Sequence, residues 1–136
     1  MTRAAYLLSK DAEVLLAPYV QLLLGEDHPP EISSPAFATP WDYRFGDLFL
    51  DLKLACKARI YGQISGQTLA DVQKSLESGV LVAIYVPPKL YLLTPSDLPF
   101  LARGLPVEML EAFPHVFVDR KTGEEVWKLY ESMLTS

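Results

Sequence analysis

The sequence is short of cysteine, of positive charge and of long apolar runs, and each shortage excludes something. One cysteine, Cys56, in 136 residues rules out an internal disulfide and a cage of thiolates around a metal. Such sparing use suits a reducing compartment, so a cytoplasmic location is expected. No stretch reaches the roughly 20 unbroken apolar residues that a membrane-spanning helix needs. The best candidate, Val14 to Leu24, is interrupted by Pro18 and Gln21. The opening MTRAAYLLSKDAEV has no apolar core followed by a small-residue cleavage site, so no secretory leader is expected. Basic residues number 12 against 17 acids, a net charge of −5. A protein that holds a long nucleic acid with its whole surface is usually basic. Any nucleic-acid contact here must come from a local patch or from a basic partner subunit.

What is present is core material. Half of the residues are apolar and 11% are aromatic, which excludes a disordered chain. The length is that of one domain, so residues 1–136 are expected to share a single core, with 106–136 as a C-terminal helix-strand-helix extension.

Hydrophobic spacing predicts a first helix from Lys10 to Leu24, capped by Ser9, kinked at Pro18 and stopped by Gly25. Leu15, Leu16, Tyr19, Leu22 and Leu23 form its apolar face. From Glu26 to Pro40 the chain reads as an irregular connection with a short strand near Glu31 to Ser33. Gly46-Asp47 lies between two strand-like runs, as a hairpin turn does. A strand is then expected from Leu48 to Ile60. Alternation sets Leu48, Leu50, Leu52, Leu54 and Cys56 on one face, and Phe49, Asp51, Lys53, Ala55 and Lys57 on the other. A helix follows from Ser65 to Ser78, with Leu69, Val72 and Leu76 inward and Gly79 as its stop. Val80 to Val86 reads as a strand buried on both faces, and Lys89 to Leu93 as a returning strand. Thr94 opens a helix with Pro95 at its first position. A short helix near Val107 to Ala112, a strand from His115 to Asp119 and a helix opened by a Thr122–Glu125 capping box complete the chain. This order calls for an α/β fold, a mixed central β-sheet flanked by helices.

The chemistry-bearing residues gather at the centre. Asp42 and Asp51 fall on adjacent strands of the hairpin, and Lys53 shares the face of Asp51. Paired carboxylates hold Mg²⁺, which prefers oxygen and keeps several waters. A bound metal lowers the pKa of an attacking water, and a lysine beside it can orient that water or stabilise phosphoryl oxygens. Glu13 can approach from the first helix. The plainer alternative is that acid-x-Lys on a strand face is a solvated surface pair. Arg44, Lys57 and Arg59 are the basic residues nearest the acids, suited to a phosphate backbone if the strand carries no bulge. His28 and His115 are isolated and expected to be structural or exposed. Cys56 is expected to be a buried, inert thiol. Ser65-Gly66 lacks the flanking glycines of a phosphate loop or nucleophile elbow.

From Asp42 to Leu98 the chain resembles the PD-(D/E)xK nuclease superfamily, and within it the small archaeal-type Holliday junction resolvases. The resemblance rests on Asp42, then Asp51-Leu52-Lys53, then Lys57-Ala58-Arg59-Ile60-Tyr61, then Gln67 entering the helix TLADVQKSLESG, then VLVAIYV and KLYLLTPSDL. Glu13 matches the acid that many members carry in the first helix. The resemblance implies a restriction-endonuclease-like fold and a Mg²⁺- or Mn²⁺-dependent endonuclease acting on DNA, branched or junction DNA included. It implies a homodimer, Asp42 and Asp51 as metal ligands, Lys53 as the catalytic lysine, and Glu13 and Gln67 in support. The chain departs from the pattern where Trp41 precedes Asp42, where Asp51 stands in place of the commoner Glu, and where Arg3 and Lys10 are the only basic residues near the N-terminus. Two alternatives stay open: a catalytically inactive subunit of the same fold that binds or assembles, and an unrelated α/β protein that docks a partner through its aromatic tail.

Overall fold

A computed structural model describes residues 2–34 and 39–136. Part of the connection expected between Glu26 and Pro40, residues 35–38, lies outside them. One six-stranded mixed sheet carries the fold, with strands in chain order: β1 (Glu31–Ile32), β2 (Tyr43–Phe45), β3 (Leu48–Leu54), β4 (Leu81–Val86), β5 (Lys89–Leu93) and β6 (His115–Phe117). All neighbours pair antiparallel except β3 and β4, which are parallel. A parallel pair needs a crossover; α2 (Ala58–Tyr61) and α3 (Gly66–Glu77) supply it.

Two apolar layers clothe the sheet. On one face α1 (Arg3–Leu24) and α5 (Arg120–Leu134) bury Leu16, Ala17, Val20 and Val126 against Tyr43, Phe45, Leu50, Tyr85 and Leu90. On the other, α3, a 3₁₀ helix (Pro95–Leu101) and α4 (Val107–Leu110) bury Val72, Leu76, Leu101 and Leu110 against Val82, Ile84, Tyr91 and Leu93. Strand β4 is central and apolar on both faces, which is why its sequence runs without alternation. The 106–136 segment belongs to the same sheet and layers: β6 extends the sheet and α5 packs on α1.

Several expectations hold in detail. The Leu face of β3 packs into the α1/α5 layer together with Cys56. Gly46 turns the β2–β3 hairpin at φ 58°, a conformation that suits glycine. Ser65 caps α3, accepting from the Thr68 N–H at 3.2 Å.

Others are corrected. Helix α1 starts seven residues early, at Arg3, because Thr2 caps it by accepting the Ala5 N–H at 3.0 Å; Ser9 lies inside and donates to the Tyr6 carbonyl instead. Leu22 is exposed, and the inward positions of α1 include Ala12, Glu13 and Leu16. Strand β3 stops at Leu54, not Ile60. The chain turns there, with the Ala58 N–H on the Ala55 carbonyl at 3.0 Å, so Lys57 and Arg59 are not on the Lys53 strand face. The last helix begins at Arg120 with Asp119 as its cap, accepting from the Thr122 N–H; Thr122 is the third residue in.

Candidate functional site

Among the described residues, three polar or charged side chains are buried, Lys10, Glu13 and Ser33, and they meet at one point. Lys10 and Glu13 are three apart on α1 and therefore share a face. The Lys10 Nζ donates to Glu13 Oε1 at 3.0 Å and to Ser33 Oγ at 2.5 Å, and lies 3.7 Å from Asp42 Oδ1. A buried charge is expensive unless paired, so this cluster is an exception that asks for a reason.

Asp42 is fixed from three sides. Its N–H donates to the Leu50 carbonyl at 2.8 Å, its own carbonyl accepts from Ser33 N–H at 3.0 Å, and its Oδ2 accepts from Leu52 N–H at 2.7 Å. The hairpin register pairs Tyr43 with Leu50. Continued by one residue, it sets Asp42 opposite Asp51. Tyr43 turns the other way, and its buried hydroxyl donates to the Glu13 carbonyl at 2.6 Å, pinning α1 to β2. Asp51 faces α3, where Ser75 Oγ donates to its Oδ2 at 2.6 Å. Lys53, half-buried, follows on the same face of β3.

The charges feel one another. Burial, and then the Asp42 carboxylate, push Glu13 up to about 7, while Lys10 pulls it back. Burial also raises Asp51; the Ser75 hydrogen bond opposes it, Asp42 adds to it, and Lys53 and Lys10 oppose it. Burial alone would depress Lys10, yet its bond to Glu13 and the charges of Glu13 and Asp42 outweigh that, and its pKa is raised. Glu13, Asp42, Asp51, Lys53 and Lys10 thus form one electrostatic unit drawn from α1, β3 and the residue just before β2, where Asp42 sits outside the strand expected to carry it.

Glu13 and Asp42 meet at Lys10, and Asp51 lies across the hairpin from Asp42; carboxylate oxygens are the donors that suit a hard divalent cation. The set is open: among the described residues only Glu26, Asp27 and His28 have ligand atoms all within 4.8 Å of one another, and those lie on a largely exposed loop. Mg²⁺ tolerates an open set, since it keeps several waters and takes one or two carboxylates. The ammonium of Lys10 supplies positive charge to Glu13 and Asp42.

The other expected residues stand apart. Gln67 is exposed in the first turn of α3 and donates to Asp71 at 3.3 Å. Helix α3 meets Asp51 through Ser75 instead, eight residues further on and about 12 Å along the axis. Arg44 is exposed and paired with Glu31 at 3.1 Å. Lys57 precedes α2, and Arg59 is committed to the Pro87 carbonyl at 2.7 Å. No continuous basic strip beside the acids is built from these three. His115 is half-buried and His28 exposed, and the Cys56 thiol is buried and pushed up to about 12 by that burial. Lys10, Ser33 and Ser75 were missed in the sequence; the Lys10–Glu13 spacing was the one signal available. No protein-family model, curated protein or solved structure matches this chain.

Proposed function

We propose that this protein is a metal-dependent phosphodiesterase of restriction-endonuclease-like fold that acts on DNA. The observation that carries the reading is the electrostatic grouping of Glu13, Asp42 and Asp51, with Lys53 on the Asp51 strand face, where Glu13 is one of three polar side chains buried among the described residues. Asp42 and Asp51 would hold Mg²⁺ or Mn²⁺, with Glu13 behind them. Such an ion lowers the pKa of a bound water and offsets charge on a scissile phosphate. Lys53 contributes an ammonium on the Asp51 face, placed to orient the attacking water or to stabilise phosphoryl oxygens. Ser75 holds the Asp51 carboxylate in one orientation and favours its charged form. Leu52, through its N–H, holds the Asp42 carboxylate in place. A homodimer in the cytoplasm, presenting two such sites to branched or junction DNA, completes the reading.

A second reading is favoured by Lys10. An ammonium already satisfying Glu13 and Asp42 is also what a catalytically inactive binding or assembly subunit would retain, and Arg44, Lys57 and Arg59 build no basic strip beside the acids. Calorimetric titration with Mn²⁺ separates the two. The nuclease reading expects binding that weakens at least about tenfold in both Asp42→Asn and Asp51→Asn. Absence of binding, or binding indifferent to both substitutions, would favour the inactive subunit.

A further inference from the structure

A second charged cluster lies on the α3 face of the sheet, at the β5–β6 side. Glu111, just after α4, is its only acid. Its Oε2 accepts from Lys89 Nζ at 2.7 Å and its Oε1 from the Tyr91 hydroxyl at 2.8 Å. One Arg59 terminal nitrogen lies 3.9 Å from Oε1, and His115 Nε2 lies 3.9 Å from Oε2.

The groups around the carboxylate also have anchors of their own. The Tyr91 ring is fully buried in the core. Arg59 is anchored through Nε to the Pro87 carbonyl at 2.7 Å and leans on the Tyr91 hydroxyl at 3.5 Å. Lys89 is largely covered, with its ammonium 5.0 Å above the Phe117 ring. His115 Nδ1 sits 2.9 Å from the Phe113 carbonyl, which can only accept, so the proton is on Nδ1 and Nε2 faces the carboxylate. Glu111 and Arg59 are each 44% exposed, and Glu111 follows a helix of four residues. Two cations and a hydroxyl donor around one half-exposed acid leave an excess of positive charge. An anion with more oxygens and more charge than a carboxylate would use it better.

The strand registers place this cluster relative to the acids. Lys53 pairs with Ile84, Ile84 with Tyr91, and Tyr91 with His115, in one row across four strands. Two strand spacings, roughly 10 Å, separate Lys53 from Tyr91 at the backbone. That is about three nucleotides of rise along one strand of a duplex.

We propose that Arg59, Lys89 and Tyr91 form a seat for a backbone phosphate of a nucleic acid, which the Glu111 carboxylate fills when no ligand is bound. The choice of nucleic acid rests on the phosphodiesterase reading above; the anion seat itself rests on the geometry of the cluster. The test is fluorescence anisotropy of a labelled duplex oligonucleotide in EDTA, where cleavage cannot occur, with inorganic phosphate as competitor. Glu111→Gln removes the internal anion and is expected to bind the oligonucleotide at least about threefold more tightly. Lys89→Met is expected to weaken binding at least about tenfold and to reduce the salt slope by about one. Thermal melting of each variant separates these effects from unfolding, and Arg59→Gln repeats the test from a more exposed position. Unchanged or weaker binding by folded Glu111→Gln would overturn the seat. No oligonucleotide binding by the parent or by folded Glu111→Gln would overturn the nucleic acid as its occupant. A failure of Lys53 to matter in cleavage would count against the phosphodiesterase and leave this binding result standing.

Discussion

Lys10 is a cation held among acids, and Glu111 is an acid held among cations. The two clusters are inverses in charge, and they differ most in burial. Lys10 and Glu13 are 8% and 4% exposed, whereas the Glu111 side chain is 44% exposed. Desolvation penalises the first cluster heavily: it pushes Glu13 up to about 7. The second carries no such burden, and the hydrogen bonds from Lys89 and Tyr91 lower the pKa of Glu111. A buried pair is strongly destabilising to break but is poor evidence that it was built for stability. An exposed network contributes little to stability either way. The first cluster is therefore the one that is costly to break, and the second is the one whose partners exchange at little cost.

The largest effect expected from breaking this contrast is on the buried side. Lys10→Met leaves Glu13 and Asp42 facing each other without a cation and is expected to cost about 3 kcal/mol at neutral pH, measured by urea unfolding. Glu111→Gln, the inverse removal, is expected to leave the unfolding midpoint where it is. Equal losses in the two variants would erase the distinction.

A smaller loss, about 1 kcal/mol, is expected for Tyr43→Phe, which deletes the buried hydroxyl that ties β2 to the Glu13 carbonyl. Glu13→Gln sharpens the contrast through pH. The folded pKa of Glu13, about 7, lies above its ordinary value of 4.5, so the folded state binds the proton more tightly than the unfolded chain does. Its neutral form stabilises fully below pH 4.5, and that contribution is lost as pH rises towards 7. The Tm advantage of Glu13→Gln over the parent should therefore grow between pH 4.5 and 8. An advantage independent of pH would mean that Glu13 does not titrate there. The smallest effect belongs to Ser75→Ala. Without the hydroxyl that favours its charged form, Asp51 should hold its proton to higher pH, moving the acid limb of a pH–rate profile upward.

Much of the frame was legible because it depends on local rules. The β5 boundaries at Lys89 and Leu93, the Gly46-Asp47 turn and the facing of Leu48, Leu50, Leu52 and Leu54 all follow from alternation and turn chemistry. The end of β3 was not legible. Ala55-Cys56-Lys57-Ala58-Arg59 keeps the alternating pattern after the backbone has turned, and no glycine appears until Gly62. At the site, Asp42, Asp51, Lys53 and Glu13 could be named in advance by order and resemblance. Lys10 and Ser75 could not. Lysine on an amphipathic helix ordinarily faces water, and its burial here depends on Ser33, 23 residues away. Ser75, not Gln67, reaches Asp51 because α3 lies alongside β3 and meets it near its C-terminal half, a matter of tertiary packing.

The most direct measurement is Mn²⁺-dependent cleavage of duplex and four-way-junction oligonucleotides by the parent and by Lys53→Ala, with circular dichroism to confirm that the variant is folded. The parent should cleave at least one substrate, and Lys53→Ala should fall by about 10²–10³-fold, as when a group that stabilises developing charge is removed. Cleavage at the parental rate by folded Lys53→Ala, or none by the parent on either substrate, would contradict the account.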